Sequence, residues 1–177
     1  MIWRPPSTFA LSGTACNLPV NRLAGNGVQP VFSILVRCML RNVDYKRYGS
    51  EVSLIMMDID DFKQVNDSYG HPEGDRVLSE ISTLILKTAR DLDICSRYGG
   101  EEFAVILPQT GHQEALRLAE RIRKRVENRF KKDLNVTISL GVATCPRVAK
   151  SAEALVSKAD KALFQSKKRG KNRVTLS

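Results

Sequence analysis

The hydrophobic pattern becomes regular from about residue 51 onward, where strand and helix signals follow one another. Short apolar or alternating runs predict four strands, over 52–58, near 93–98, over 102–107 and over 136–143. Apolar residues three and four positions apart predict four helices, over 62–69, from Pro72 onward, through 115–126 and over 152–167. Val174 then begins a possible last strand.

This order of elements favours one fold class. A β-α-α-β-β-α-β-α order predicts an α+β sandwich with a ferredoxin-like core, in which helices flank a central, mostly antiparallel sheet. The chain has 177 residues and is 42% hydrophobic, so it is long enough to bury one substantial core.

The first 40 residues follow a different pattern. Prolines and glycines interrupt any periodicity over residues 1–30, which predicts an irregular N-terminal arm. A signal peptide is the competing interpretation, and it is disfavoured because prolines directly follow Arg4. Residues 31–40 are apolar on nearly every side, but a bilayer span takes roughly 20 residues. We therefore expect no membrane span, and we expect this segment to pack against the domain or another chain.

Charge narrows the choice of partner. The net charge of +9 favours anionic partners, and phosphates are the obvious class. Many of the basic residues also fit the solvated faces of two helices. We expect no nucleic-acid partner, because aromatic residues make up only 6% of the chain and no recognition helix is evident. The four cysteines have no metal-ligand spacing, which fits a reducing, cytoplasmic location.

Two acidic stretches follow predicted strands. Asp58-Ile59-Asp60-Asp61 ends the first strand, and Glu101 and Glu102 follow the pair Gly99-Gly100. The glycine pair predicts a tight hairpin turn, because the favoured hairpin turns need positive φ. Charges at a hairpin tip can simply keep a strand edge soluble. However, carboxylates at the end of a buried strand repel one another unless a cation or a helix N-terminus is present. The two stretches together predict a magnesium and polyphosphate site.

The residues of these two acidic stretches, together with their neighbours, resemble the motifs of a known protein family. Gly99-Gly100-Glu101-Glu102-Phe103 resembles the signature of the GGDEF family, the diguanylate cyclases, in its GGEEF form. The stretch from Asp58 to His71, continued by Gly74-Asp75, is similar to the family's other main block. Three more blocks match in order: 139–143, 159–164 and 170–173. The resemblance extends from about Tyr48 to Val174, and it implies a nucleotidyl-cyclase-like catalytic domain over 31–177.

The resemblance also implies an activity. Members of the family join two GTP molecules into cyclic di-GMP and release two pyrophosphates. By this similarity the catalytic residues are Asp58, Glu101 and Glu102. Asp58, Glu101 and the backbone carbonyl of Ile59 would bind Mg²⁺, with Mn²⁺ as a substitute. Because the product links two guanylates symmetrically, two chains are expected to face each other in a transient homodimer.

Substrate contacts follow from the same similarity. Asn66 and Asp75 occupy the family's positions for guanine, whose donors an amide and a carboxylate match. The simpler explanation is a helix-capping Asn and a surface Asp. The β- and γ-phosphates are assigned to free N–H groups at the start of a helix and to nearby cations. The residues of this phosphate set are Asp61, Phe62, Lys63, Gly99, Gly100, Lys167 and Lys171.

A last motif lies just before the hairpin. Arg90-Asp91-Leu92-Asp93 matches the RxxD motif through which many of these enzymes bind their own product, with Arg121 as a second arginine. The simpler explanation is a helix-terminal Arg and a strand-leading Asp. Residues 21–29 depart from the family's N-terminal motif. This departure leaves open an alternative function, a module that binds GTP or cyclic di-GMP without turnover.

Overall fold

The structure, a computed structural model, describes residues 51–149 and 151–177. The arm predicted over 1–30, the altered motif over 21–29 and the apolar segment over 31–40 lie outside the described residues.

Strand β1 (Val52–Ile59) lies at the centre of the sheet, and all eight of its residues are buried. It pairs antiparallel with β3 (Glu102–Leu107) on one side and with β4 (Ile138–Cys145) on the other. Strand β2 (Ile94–Arg97) pairs antiparallel with β3, and β5 (Val174–Leu176) pairs parallel with β4. The result is a five-stranded mixed sheet with the order β2-β3-β1-β4-β5.

In the described part of the chain, four helices cover this sheet: α1 (Phe62–Tyr69), α2 (His71–Thr88), α3 (His112–Phe130) and α4 (Ala152–Lys168). Alternate residues of a strand point to opposite faces of a sheet. Ile55 and Met57 of β1 therefore share one core with the buried residues of α1, α2 and α3. Leu54 and Met56 share the other core with those of α4. Among residues 51–149 and 151–177, no helix combines the length and hydrophobicity needed to cross a membrane.

The fold class predicted from the sequence is confirmed. The structure is an α+β sandwich in which three of the four strand pairings are antiparallel. Boundaries differ by a few residues. Strand β4 begins at Ile138 and reaches Cys145, whereas the predicted strand covered 136–143. Strand β2 has four residues, because Asp93 instead joins a turn through the bond from its N–H to the carbonyl oxygen of Arg90.

Gly141 allows α4 to approach β4 closely. A Cβ atom at this position would lie 2.2 Å from both the Ala159 carbonyl oxygen and the Leu163 amide nitrogen, which are backbone atoms. One turn further along, Ser166 Oγ donates a hydrogen bond of 2.6 Å to the Leu140 carbonyl. These two contacts fix the C-terminal end of α4, which carries Lys167, against the sheet.

We predict that Gly141→Ala lowers the free energy of unfolding by roughly 3 kcal/mol, because backbone atoms cannot move aside for the added methyl group. Gly100→Ala is the matched control, since a Cβ at that position meets nothing within 4 Å. Its effect should stay within about 0.5 kcal/mol. Urea unfolding of both variants checks the difference, and equal losses would contradict this account of the α4 packing.

Candidate active site

The ends of β1 and β3 bring the predicted carboxylates together. Asp58 is the register partner of Glu102 across the antiparallel pair. The amide of Ile59 donates to the carbonyl oxygen of Glu101 at 3.3 Å. The structure therefore places Asp58, Glu101 and Glu102 at one edge of the sheet, as expected for two acidic turns on neighbouring strands.

The hairpin between β2 and β3 is confirmed, but the reason predicted for its glycines is wrong. Neither Gly99 nor Gly100 adopts a left-handed conformation. The turn is held instead by hydrogen bonds from the amides of Tyr98 and Gly99 to the Glu102 carbonyl, at 2.7 and 3.2 Å. Arg97 Nε also donates to the Gly99 and Gly100 carbonyls. A Cβ at Gly99 would lie 2.4 Å from Glu102 Oε2, the free end of a flexible side chain, so Gly99 and the Glu102 carboxylate lie close together.

The carboxylates repel one another in a half-buried setting. Asp58 is only 5% exposed, and burial raises its pKa even though Lys167 Nζ lies 2.7 Å from its Oδ2. Burial, and next to it the charge of Asp58, raise the pKa values of both Glu101 and Glu102. Lys167 of α4 thus offsets only part of the negative charge at this edge.

This donor set fits a divalent cation. The described part of the chain contains no group of three or more His, Cys, Asp or Glu side chains arranged as a metal centre. The predicted set needs only the carboxylates of Asp58 and Glu101 and the carbonyl of Ile59, which are the hard oxygen donors that Mg²⁺ prefers. A cation would relieve the repulsion that raises the carboxyl pKa values. The assignment of the ligands stays a prediction.

The start of α1 lies next to these acids. Asp61 precedes the helix in a left-handed conformation, with φ of 55°, and its carbonyl accepts hydrogen bonds from the amides of Gln64 and Val65. The first amides of a helix have no acceptor within the helix, so those of Phe62 and Lys63 are available to an anion. The Phe62 side chain is buried, so only its backbone can serve the predicted role. Lys171 Nζ lies 2.5 Å from Asp61 Oδ1, beside these amides.

The residues predicted for guanine lie where α1 meets α2. A Cβ on Gly74 would lie 1.9 Å from Asn66 Oδ1, so the Asn66 amide lies directly over the first turn of α2. Asp75 is the next residue of that turn, and it is exposed. Asn66 is not the N-cap residue of either helix, since these are Asp61 for α1 and Gly70 for α2.

Asp60 has a different role from its acidic neighbours. It is 6% exposed, and its carboxylate accepts hydrogen bonds from Ser139 Oγ at 2.6 Å, Thr137 Oγ1 at 2.7 Å and the Asn172 amide at 3.0 Å. It therefore joins β1, β4 and the loop before β5. Sequence reasoning groups Asp60 with the other acids, and only the hydroxyls of Thr137 and Ser139 could have indicated this anchoring role.

The predicted inhibitory residues line one cleft of about 140 Å³. Arg90 and Asp93 form a closed turn, because the Arg90 amide donates to Asp93 Oδ2 at 2.7 Å and the Asp93 amide donates to the Arg90 carbonyl at 3.0 Å. Arg121 lines the same cleft from α3. Sequence reasoning missed Glu114 and Arg117, which also line it. Their spacing of seven and four residues before Arg121 on one helix is the signal that could have found them.

Comparison with known proteins identifies the family to which this chain belongs. A family profile described as "Diguanylate cyclase, GGDEF domain" matches residues 38–173, which is most of the chain. The chain belongs to the GGDEF family. The resemblance predicted from five sequence blocks is thereby confirmed.

Curated relatives of this GGDEF domain extend well beyond it. The chain is 49% identical over 130 residues to diguanylate cyclase A of Treponema denticola, and this match covers 71% of the chain and 35% of that relative. It is 43% identical over 132 residues to the response regulator PleD of Caulobacter vibrioides, where the match covers 71% of the chain and 29% of the relative. The GGDEF domain thus spans about a third of the length of the curated relatives that it matches.

Solved structures of GGDEF domains share the fold. The GGDEF domain of DgcB from Caulobacter crescentus, determined in complex with c-di-GMP, matches with a TM-score of 0.74 at 32% identity. That match covers 84% of this chain and 89% of that one. The active GGEEF domain of a diguanylate cyclase from Vibrio cholerae matches with a TM-score of 0.74 at 30% identity, over 88% and 97% of the two chains.

We predict that Glu102→Gln raises Tm in the absence of divalent cations, by an amount on the order of 3 °C at neutral pH. The folded protein raises the pKa of Glu102, so the charged carboxylate destabilises the fold. Below the unfolded-state pKa the side chain is neutral in both states, and the variant should gain nothing. The gain should grow as pH rises from the unfolded-state pKa to the folded-state pKa and stay constant above it. Thermal unfolding from pH 4 to pH 8 measures this, and a gain that shrinks with rising pH would contradict it.

Proposed function

We propose that this domain synthesises cyclic di-GMP from two molecules of GTP. The observation that carries the proposal is the convergence of Asp58, Glu101 and Glu102, each with a raised carboxyl pKa, beside the N-terminus of α1. Carboxylates that repel one another next to free helix amides suit a substrate that brings both a cation and phosphates. The names of the curated relatives, which include diguanylate cyclase A, support the same activity.

The reaction is a nucleotidyl transfer between two substrates. The 3′-oxygen of one GTP bonds to the α-phosphorus of the other, the bond from that phosphorus to the bridging oxygen breaks, and pyrophosphate leaves. A bound Mg²⁺ or Mn²⁺, held by Asp58, Glu101 and the Ile59 carbonyl, would neutralise charge on the phosphates. The hydroxyl proton passes to the Glu101 and Glu102 pair.

Phosphate and base contacts complete the substrate site. The amides of Phe62 and Lys63 receive the β- and γ-phosphates, and Lys167 and Lys171 supply positive charge. Both lysines already lie at the site through their pairs with Asp58 and Asp61. When a cation binds, Lys167 can leave Asp58 and turn to the phosphates.

Guanine is recognised by Asn66 and Asp75, which lie at the junction of α1 and α2. The Asp75 carboxylate accepts from the N1–H and N2–H donors of guanine, whereas adenine offers no such pair. Gly100, where a Cβ would meet open space, leaves the hairpin backbone accessible on the substrate side.

The symmetric product requires two such sites. One domain offers one set of carboxylates, so two chains face each other and each GTP donates its 3′-hydroxyl to the other. The homodimer needs to exist only during turnover. The initial rate should then rise with about the square of protein concentration while dimers are scarce. Strict proportionality, with light scattering showing only monomer, would exclude the two-chain mechanism.

Incubation of the purified chain with GTP and Mg²⁺, followed by separation of the nucleotides, tests the activity. We predict that wild type forms cyclic di-GMP and that Glu101→Gln lowers the rate by at least about a hundredfold, because the amide is a poor ligand for a hard cation. Glu80→Gln is the control, since Glu80 pairs with Arg76 of α2 and Arg129 of α3 and is not one of the predicted site residues. GTP binding without product in the wild type would identify a binding module instead of an enzyme.

We propose further that the cleft around Arg90 binds cyclic di-GMP and inhibits synthesis. Arg90, Arg117 and Arg121 offer three guanidinium groups to its phosphates and guanine faces. Asp93 can accept from a guanine edge. The structure of DgcB was determined with c-di-GMP, which supports a ligand of this class for the family.

We predict that Arg90→Ala relieves product inhibition and leaves the initial rate within about twofold of wild type. The reason is that the cleft lies apart from the carboxylates. Lys124→Ala removes one positive charge from α3 outside the cleft, so it controls for net charge. Inhibition curves with added cyclic di-GMP measure the effect. Unchanged inhibition in Arg90→Ala would show that the inhibitory site lies elsewhere.

A further inference from the structure

The loop that carries Lys171 has an unusual backbone. Gly170, Lys171 and Asn172 have φ angles of 104°, 61° and 46°, so three consecutive residues lie in the left-handed region. Glycine tolerates this region and asparagine does so better than most residues, but lysine is disfavoured there. Other contacts must therefore hold the loop in this conformation.

Those contacts converge on Asn172. Its backbone amide donates to Asp60 Oδ2 at 3.0 Å. Its side-chain Oδ1 accepts from Arg123 Nη1 at 2.7 Å, and its Nδ2 donates to Glu127 Oε1, also at 2.7 Å. Both ends of the amide are thus bound to two residues one turn apart on α3. Arg123 and Glu127 also pair with each other at 3.1 Å.

The hydrogen bond from Asn172 changes the pKa of its partner, Glu127. It is the main cause of a lowered pKa at Glu127, which is what a carboxylate stabilised in its charged form shows. The Arg123 side chain is only 13% exposed, so the contact with Asn172 Oδ1 lies in a partly desolvated setting where hydrogen bonds are stronger.

The consequence is the direction of Lys171. Its amide donates to the Ser166 carbonyl at 3.1 Å, which fixes the loop to the end of α4. With the backbone held on both sides, Lys171 Nζ reaches Asp61 at the N-terminus of α1. An unconstrained loop would relax toward negative φ and carry the ammonium group away from that position.

We propose that Asn172, clamped by Arg123 and Glu127, is a positioning residue that holds Lys171 at the triphosphate of GTP. The proposal rests on the proposed function, since it names how α3 controls substrate binding at that same site. Asn172 itself does not touch substrate. Its effect should therefore appear mainly in the KM for GTP and in the Kd for GTP, and little in kcat.

The contacts of Asn172 with Arg123 and Glu127 can be disrupted and then restored by substitutions that keep the shape of the side chains. Asn172→Asp keeps the acceptor for Arg123 and tolerates the left-handed backbone, but it places a carboxylate against Glu127. We expect KM and Kd for GTP to rise roughly tenfold, the equivalent of one charge-assisted hydrogen bond. In the Asn172→Asp/Glu127→Gln double variant the new amide can donate to the new carboxylate. We expect KM and Kd to return to within about threefold of wild type.

A second pair of variants leaves Asn172 in place. Arg123→Ala removes the bond to Asn172 Oδ1, and Arg129→Ala is its control, because Arg129 forms ion pairs with Glu80 and Asp133 from the same helix without reaching the loop. We expect Arg123→Ala to raise KM and Arg129→Ala to leave it unchanged. Thermal unfolding of each variant shows whether it is folded.

Lys171→Ala decides whether Asn172 acts through the lysine. In that background Asn172→Asp should change Kd by less than about twofold, because the group being positioned is gone. A full additional effect there, or an unchanged Kd for Asn172→Asp in the wild-type background, overturns the proposal. So does a double variant that stays as weak as Asn172→Asp alone. These results leave the proposed function intact, whereas wild type that neither binds nor converts GTP removes both.

Discussion

Like charges at the ends of two adjacent strands are the constraint on which the site depends. The antiparallel register that buries every residue of β1 also sets Asp58 opposite Glu102, so the acidic edge is a direct product of core packing. Relaxing the repulsion by moving either strand would shift the register and turn core side chains toward solvent. The fold therefore tolerates a locally unfavourable edge and compensates for it elsewhere, as functional sites often require. Lys167, brought in by the close packing of α4 on β4, is part of that compensation.

Two aspartates separated by one residue show how environment divides their roles. Both Asp58 and Asp60 are almost completely buried. Asp60 accepts hydrogen bonds from Thr137, Ser139 and Asn172, so it serves as an anchor. Asp58 has one lysine and several carboxylates around it, so its negative charge is only partly compensated. The same side chain thus anchors the structure at one position and, on the proposed function, takes part in the chemistry at the other.

The parts of the fold that depend on local pattern could be predicted from the sequence, and those that depend on distant partners could not. Within the described residues, periodicity is sufficient to predict four strands and four helices, and the two acidic stretches predict that Asp58, Glu101 and Glu102 lie close together, as they do. The prediction for the hairpin glycines failed, because neither Gly99 nor Gly100 has a positive φ and the turn is held by amide hydrogen bonds to the Glu102 carbonyl. The contacts of Asn172 with α3 join residues 45 and 49 positions apart. No spacing rule reports such pairs, since they exist only once helix and sheet have packed.

The two outermost strands of the sheet, β2 and β5, limit how two copies can associate. Strand β2 has four residues and β5 has three, so within the described part of the chain each edge offers few free main-chain groups for strand addition. On the proposed activity, backbone pairing cannot then supply a lasting contact between chains, and the encounter relies on shared ligands or on other segments. On the proposed activity, any partner or linked domain that raises the local concentration of a second copy would therefore control the rate of synthesis. Such a domain, on the proposed activity, would be inactive as a monomer and active where a second copy is held nearby.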